Sequence, residues 1–569
     1  MSGGTGGSGG GGPTASGQRT GERTLAVDRW IGLGLGAIYA CALFATSRPI
    51  GLARDEGFYA VAAQVYGRWL RILMNDPARA VSRAVVDAHW ATNHEHPPFI
   101  KTLFAISFEQ LHRKWGLLGV AESVRAPSIV IAGLLVALVY VWGTRVAGRF
   151  AGFVAAVSLA AMPRVFFHAH LACFDIPVTA VFAATVYAFV RAAEAPTRGR
   201  IAWCALLFGV ALASKHNAWF LPPLFIASTA LFALWLRRTG ERVKAGAHGA
   251  ALALLASMIV GPLVMWALWP WIWRDTLARL AEYVAFHVHH EFYNMEFLGQ
   301  NYFQPPFPRS YAPVMTAATV PTTTLVLALL GVVARGRAAS GVLLRRTPQM
   351  LAAHRAPLVW ALAVAVCYAP WLRDSTPIFG GTKHWMTAYP FLALFAGVGA
   401  ESVRCAIERT WPALVPAMRR AILTVVLAAL LLAPSIVATD RSRPFGTSSY
   451  VPLVGGAPGA ATLGLNRGFW GTQTGALRLD ARVGPDPRIF IHDTLGASWD
   501  IMHDDGWLRQ DARRTPSLAQ ADLVLQHHEM HMQGQEYQAW VALGTTVPWH
   551  IWEIDGVPVM FGFVRALPP

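Results

Sequence analysis

An all-α polytopic membrane protein of about 11 transmembrane helices, with a small extracytoplasmic α/β domain at its C-terminal end, is the fold class this sequence predicts. Three observations predict it. The 569 residues are 54% hydrophobic and only 14% charged, with a mean hydropathy of +0.39, a balance that suits helices bundled in lipid better than a soluble multidomain chain. Apolar tracts recur until Thr439, after which the composition turns soluble. The formal charge of +16 falls largely in short loops between those tracts, as the positive-inside rule expects, and that distribution argues against nucleic acid as a partner.

Residues 1–24 open with Gly, Ser and Thr and are expected to be disordered. Arg19, Arg23 and Arg29 precede the uncharged tract Trp30–Ser47, which lacks a clear small-residue cleavage site and is expected to remain as a signal anchor. Further spans are expected at 126–145, 149–164, 175–191, 201–214, 217–236, 249–270, 312–334, 356–372, 385–400 and 420–438, making 25–439 a membrane domain. Arg145 and Arg149, then Arg191, Arg198 and Arg200, then Arg237 to Lys244, Arg335 to Arg346 and Arg404 to Arg420 mark one side as cytoplasmic. The other side receives the loop 48–125, the connections around Pro163–Asp175 and Ser214–Asn217, the loop 271–311, Arg373–His384 and everything beyond Thr439. Acidic, histidine and aromatic residues gather there, so the chemistry is expected to be extracytoplasmic.

The terminal domain, 440–569, reads as a strand at Arg488–His492, a helix at Ala497–Arg509, a strand at Ala521–Gln526 and a helix at Gln535–Leu543. Trp549–Ile554 and Val557–Val564 then flank Asp555-Gly556, a hairpin signal. Cys41, Cys173, Cys204, Cys367 and Cys405 form no CxxC pair, so neither a disulfide framework nor a zinc site is indicated.

On the outer side, Asp55-Glu56 opens a stretch whose apolar residues Phe58, Val61, Ala62, Val65, Trp69, Leu70 and Leu73 recur at helical spacing, the pattern of a helix on the membrane surface. Asp55 reads either as the N-cap of that helix or as a proton acceptor, and the two roles are compatible. His94-Glu95-His96-Pro97-Pro98 with Lys101 reads as a rigid turn followed by a phosphate-facing lysine, or as part of a metal site, which needs three or four ligands in defined geometry. Asp175, at the outer start of a span, is again a cap or a functional carboxylate. Lys215 snorkels to the interface or pairs with an anionic headgroup, and Lys383-His384-Trp385 is an interfacial anchor or a cation beside an aromatic. His287, His289, His290 and Glu291 are solvated loop residues or metal ligands.

The order Asp55-Glu56-Gly57-Phe58-Tyr59, His96-Pro97-Pro98 with Lys101, Asp175-Ile176-Pro177, Ser214-Lys215, and Lys383-His384-Trp385 before Tyr389-Pro390 resembles the C-type glycosyltransferases. More closely, it is similar to the bacterial branch related to protein O-mannosyltransferases and to the lipid A aminoarabinose transferases. The resemblance covers roughly 25–440, and Asn466-Arg467-Gly468-Phe469-Trp470 is similar to a segment of some bacterial members. It implies the C-type glycosyltransferase fold in the bacterial inner membrane. It also implies transfer of a sugar, a mannose-like hexose being favoured, from a polyprenyl phosphate to an acceptor hydroxyl of a protein, lipid or glycan on the outer face, with inversion. By this resemblance Asp55 is the general base and Glu56 orients the acceptor, while Lys101, Lys215 and Lys383 bind the donor phosphate. Tyr59, His96, Asp175 and His384 are candidates for lining the donor or acceptor site. No cofactor is required on this reading, and a divalent metal is left open.

The terminal α/β domain departs from the eukaryotic protein mannosyltransferases, so a protein acceptor is not implied. Three rivals stand beside this reading. One is an aminoarabinose-type lipid A transferase. Another is a lipid-linked sugar transporter or flippase, against which the lack of an evident internal repeat counts. The third is a membrane-anchored binding protein whose terminal domain does the work.

Overall fold

The computed structural model describes residues 15–239, 246–345, 348–378, 381–412, 416–465, 483–492 and 494–565; the Asn466–Trp470 motif lies outside them. Among the described residues, eight helices are long and apolar enough to cross a membrane, or up to ten if each of two bent pairs is one span. They are Ala26–Thr46, Val120–Ala147, Asp175–Glu194, His216–Leu234, Ala247–Leu268, Arg355–Leu372, Met386–Thr410 and Ala417–Arg441.

Of the roughly eleven spans expected, three depart from a single straight crossing, for two physical reasons. The span placed at 201–214 is the helix Arg198–Leu212, whose 15 residues reach about 22 Å against a hydrocarbon core of about 30 Å. The spans placed at 149–164 and 312–334 are both broken, into Arg149–Ala160 with Pro163–His170, bent by 67°, and Tyr311–Thr319 with Thr322–Ala338, bent by 115°. Each break carries a proline, Pro163 or Pro321, which lacks the N–H that would continue the ladder and pushes the residue before it out of helical geometry.

The first helix begins at Ala15, inside the stretch expected to be disordered, because a helix nucleated by the apolar tract extends at small cost through adjoining polar residues. It packs on Val120–Ala147 through facing glycines: a Cβ at Gly133 would lie 2.6 Å from the Gly36 carbonyl oxygen. Small residues at such a crossing let two backbones approach where lipid supplies no hydrophobic drive.

On the Asp55 side the chain builds a cap over the bundle. The helix Arg54–Asn75 buries Tyr59, Ala62, Ala63, Tyr66 and Trp69; of the apolar face expected from the sequence, Ala62 and Trp69 are among them, whereas Phe58 and Val61 are exposed. The buried residues share one apolar cluster with Trp90, Phe104 and Phe174 and with Ile489, Leu523 and Trp552 of the terminal domain. That domain is a five-stranded mixed sheet in the order 513–514, 488–491, 523–527, 557–564, 550–554. The first three strands run parallel and the last two pairings are antiparallel. Its hairpin turns at Asp555 and Gly556, with φ of 48° and 78°, the paired left-handed geometry that an Asp-Gly turn accommodates.

The terminal helix Gly496–Asp504 bears directly on the Asp55 turn. Ser498 Oγ donates to the Ala53 carbonyl at 3.4 Å, the Leu52 N–H donates to Met502 Sδ at 3.4 Å, and a Cβ at Gly57 would lie 2.9 Å from Leu495. The next residue, Asp505, accepts the N–H groups of Val120 and Ala121 at 2.7 Å each, capping the start of a membrane helix from another domain. Asp505→Ala leaves both donors unpaired and is expected to cost about 1–2 kcal/mol, read as a lower thermal midpoint of the detergent-purified protein. An unchanged midpoint contradicts the capping role.

Candidate active site

Four charged side chains from four distant segments meet beneath that cap. Asp55 lies in the first turn of its helix, and its Oδ2 is 3.3 Å from Lys383 Nζ. Lys383 stands in the short turn Gly381–His384, entered through Gly381 at φ 62°, a left-handed conformation that suits glycine. Asp175 is the first residue of the helix Asp175–Glu194. Its Oδ1 accepts from Lys215 Nζ at 2.7 Å, and its Oδ2 lies 3.4 Å from His168 Nδ1. Burial by itself would lower Lys383, but Asp55 and then Asp175 more than reverse this and hold its ammonium above the ordinary lysine range. The two ion pairs therefore act on one another. Asp55, with its side chain 30% exposed, is the most open of the four, against 12% for Lys383 and 12% and 7% for Lys215 and Asp175, so it is the member best placed to meet a substrate.

Aromatic and histidine rings wall the cluster. Tyr59 packs on Phe174 with ring centroids 4.1 Å apart, and His96 sits 5.3 Å from the same ring. Burial, followed by the charge of Asp55, raises the Tyr59 phenol well above its ordinary range. Burial, followed by the charge of Lys101, keeps the His96 imidazole well below its own, so both groups stay neutral at neutral pH. His384 packs against Trp371 with ring centroids 4.6 Å apart and the rings tilted by 36°, and its carbonyl accepts from Asn217 Nδ2 at 3.3 Å.

Two expected site residues take other roles. Glu56 is fully buried, and both of its oxygens are occupied. Oε1 accepts from Arg125 Nε at 2.7 Å and from the Ala172 N–H at 2.8 Å, while Oε2 accepts from Arg125 Nη2 at 2.7 Å and from the Ala53 N–H at 2.8 Å. The carboxylate that caps the Asp55 helix is thus Glu56, which reaches back to Ala53. Glu56 is a brace inside the scaffold, and the place given to it beside the acceptor is corrected.

Lys101 is also fully buried. Its three N–H donors are matched by the Asn93 carbonyl, Asn93 Oδ1 at 3.0 Å and the His96 carbonyl at 3.0 Å. An ammonium has three donors and all are committed to the 93–96 turn, so the phosphate-binding role expected for Lys101 is corrected as well. Burial, partly offset by Glu95, pulls its pKa down to about 7 from 10.5. The unfolded chain then holds that proton more tightly, so stability rises as pH climbs from about 7 towards 10.5, by up to about 1.4 kcal/mol per pH unit. Lys101→Met is expected to lack this slope, so that the difference between wild-type and variant thermal midpoints changes with pH over this range. A slope shared by both proteins would place the titration elsewhere.

Sequence reasoning passed over Arg125, Asn93 and His168. Arg125 carried a signal, since an arginine inside the outer end of an otherwise apolar span requires a partner. His96, His287 and His216 lie in a file, with successive ring centroids 5.6 Å and 4.3 Å apart. His94 is tied separately to Glu282 at 2.8 Å and to Trp271. Among the described residues no group of three or more His, Cys, Asp or Glu is arranged to hold a metal ion.

A family model described as dolichyl-phosphate-mannose-protein mannosyltransferase matches residues 95–266. That stretch holds His96, Lys101, Asp175 and Lys215, and the match bears out the resemblance read from the motifs. No match was found among the curated proteins. Among solved structures, the chain is similar to ArnT from Cupriavidus metallidurans bound to undecaprenyl phosphate, at 15% identity and a TM-score of 0.46, over 94% of this chain and 98% of that one. It is also similar to the apo oligosaccharyltransferase of Archaeoglobus fulgidus, at 12% identity and a TM-score of 0.46, over 91% of this chain and 72% of that one.

Proposed function

We propose that this protein is an integral membrane glycosyltransferase of the bacterial inner membrane, moving a sugar from a polyprenyl phosphate to an acceptor hydroxyl on the outer face. The observation that carries the reading is the open Asp55 carboxylate 3.3 Å from Lys383, beside a second carboxylate–ammonium pair, Asp175 and Lys215. The match of residues 95–266 to a mannosyltransferase family supports the chemistry and favours a mannose-like hexose.

In the proposed step Asp55 takes the proton of the acceptor hydroxyl as its oxygen forms a bond to the anomeric carbon. The bond from that carbon to the phosphate oxygen breaks on the opposite face, so the configuration inverts, and its electron pair leaves with the lipid phosphate. Negative charge grows on that phosphate, and the ammonium groups of Lys383 and Lys215 are the fixed cations that stabilise it away from bulk water. When the phosphate draws on Lys383, Asp55 is freed from its partner to meet the acceptor hydroxyl. Tyr59, His96 and His384 shape the walls, and the neutral Tyr59 and His96 contribute little charge.

The test is transfer of labelled hexose from a purified polyprenyl-phosphate donor by the reconstituted protein, with mass spectrometry of envelope proteins, glycans and lipid A from cells with and without the gene. Label on any acceptor hydroxyl supports the reading. An aminoarabinose addition to lipid A replaces the sugar and the acceptor but keeps the step, whereas movement of intact donor across the bilayer without transfer rejects it.

A further inference from the structure

The other end of the bundle holds a cleft of about 500 Å³ among the first helix, Val120–Ala147, Asp175–Glu194 and Arg198–Leu212. That volume is within the range of about 300–1,000 Å³ typical of small-ligand sites. Arg29, Arg145, Arg191 and Arg200 line it, against Asp28 alone among acidic residues. Asp28 is already paired with Arg149 at 2.6 Å, and Glu194 at the rim is shared between Arg145 at 3.2 Å and Arg191 at 2.6 Å. The cleft therefore keeps a positive excess. Arg29 and Arg200 have no carboxylate partner among the described residues; Arg200 Nη1 donates only to the Ala195 carbonyl, at 3.0 Å.

The remaining wall is apolar and aromatic: Val141, Ala188, Tyr187 and Trp203. Trp203 is 59% exposed, and Trp30, next to Arg29, is 73% exposed, the placement of interfacial tryptophans at the level of lipid headgroups. Arg145 stands 20 residues along its helix from Arg125, the partner of Glu56, which puts the cleft about 30 Å from the Asp55 side. It is a separate site at the opposite membrane face.

We propose that this cleft binds the phosphate of an anionic phospholipid headgroup from the leaflet opposite Asp55. Arginine forks match phosphate oxygens, and the tryptophan-edged mouth accepts the glycerol and upper acyl chain. Basic pockets between membrane helices are suited to such headgroups, each cation near the surface contributing a factor of about five in affinity.

The experiment is lipid titration of the full-length protein in detergent, followed by native mass spectrometry with phosphatidylglycerol and phosphatidylcholine. Wild type is expected to retain phosphatidylglycerol preferentially. Arg29→Ala with Arg200→Ala is expected to weaken that retention about 25-fold without altering phosphatidylcholine, and Arg29→Lys with Arg200→Lys to restore most of it. Should the alanine variant not fold, the wild type alone decides: its preference is expected to shrink as salt rises from 50 to 300 mM. Equal retention of the two lipids, a preference insensitive both to the substitutions and to salt, or full displacement by millimolar inorganic phosphate, which marks a site for a soluble anion, would each overturn the proposal.

Discussion

Asp55→Asn is expected to reduce transfer by about 10²–10⁴-fold, the contribution of a positioned general base, while donor binding is kept or strengthened. The amide fills the same volume at the start of the helix and still offers Lys383 an oxygen at the 3.3 Å position. It cannot take a proton from the acceptor. It also carries no charge, so the Lys383 ammonium loses the nearest of the carboxylates that hold it charged and turns more fully to the donor phosphate. The signature is thus a fall in kcat with an unchanged or lower apparent Kd for the polyprenyl-phosphate sugar, measured by turnover and by lipid binding on one preparation. Wild-type turnover removes Asp55 from the mechanism. Loss of donor binding in a normally folded variant makes Asp55 a binding residue instead.

Glu56→Ala, one residue along, is expected to act on folding rather than on rate. The carboxylate and the Arg125 guanidinium are both fully inaccessible, and Arg125 also donates to the Ser47 carbonyl at 2.9 Å and to the Gly51 carbonyl. Removing Glu56 leaves a buried cation uncompensated and strands the Ala53 and Ala172 N–H groups. Breaking a buried pair from one side costs about 3–5 kcal/mol, a large part of the usual 5–15 kcal/mol of a domain. The expected result is a strongly lowered thermal midpoint or loss of folded protein, partly recovered when Arg125→Ala is added. Glu56→Gln keeps the shape, and in its folded fraction the acceptor KM is expected to stay at the wild-type value. A raised acceptor KM with an unchanged midpoint would return Glu56 to the substrate.

These neighbouring carboxylates show where the sequence is legible and where it is not. Motif order and the alternation of loops across the membrane place Asp55, Asp175, Lys215 and Lys383 on one face, and the structure joins them as two interacting pairs. What a motif cannot convey is which partner a side chain has already taken. Lys101 and Glu56 stand beside the right residues in the chain, yet one is spent on the carbonyls of its own turn and the other on Arg125, a residue 69 positions away. The cap ascribed to Asp55 belongs to Glu56 for a local reason: a residue reaches back to the N-cap N–H from the third helical position, and Glu56 is third after Ala53. Hydropathy alone does not show where a span is bent or short, as at Pro163, at Pro321 and in the 15-residue helix Arg198–Leu212. The terminal domain was the more readable half, because strand alternation and the Asp555-Gly556 turn are local signals.

Asp505 grips the start of one membrane helix while Ser498 and Met502 hold the strand of chain leading to Asp55. The terminal sheet domain is therefore a splint for the Asp55 turn rather than cargo on an anchor. Grafting a foreign domain after residue 440 would carry over all four charged groups of the cluster and still leave the Asp55 turn without its splint.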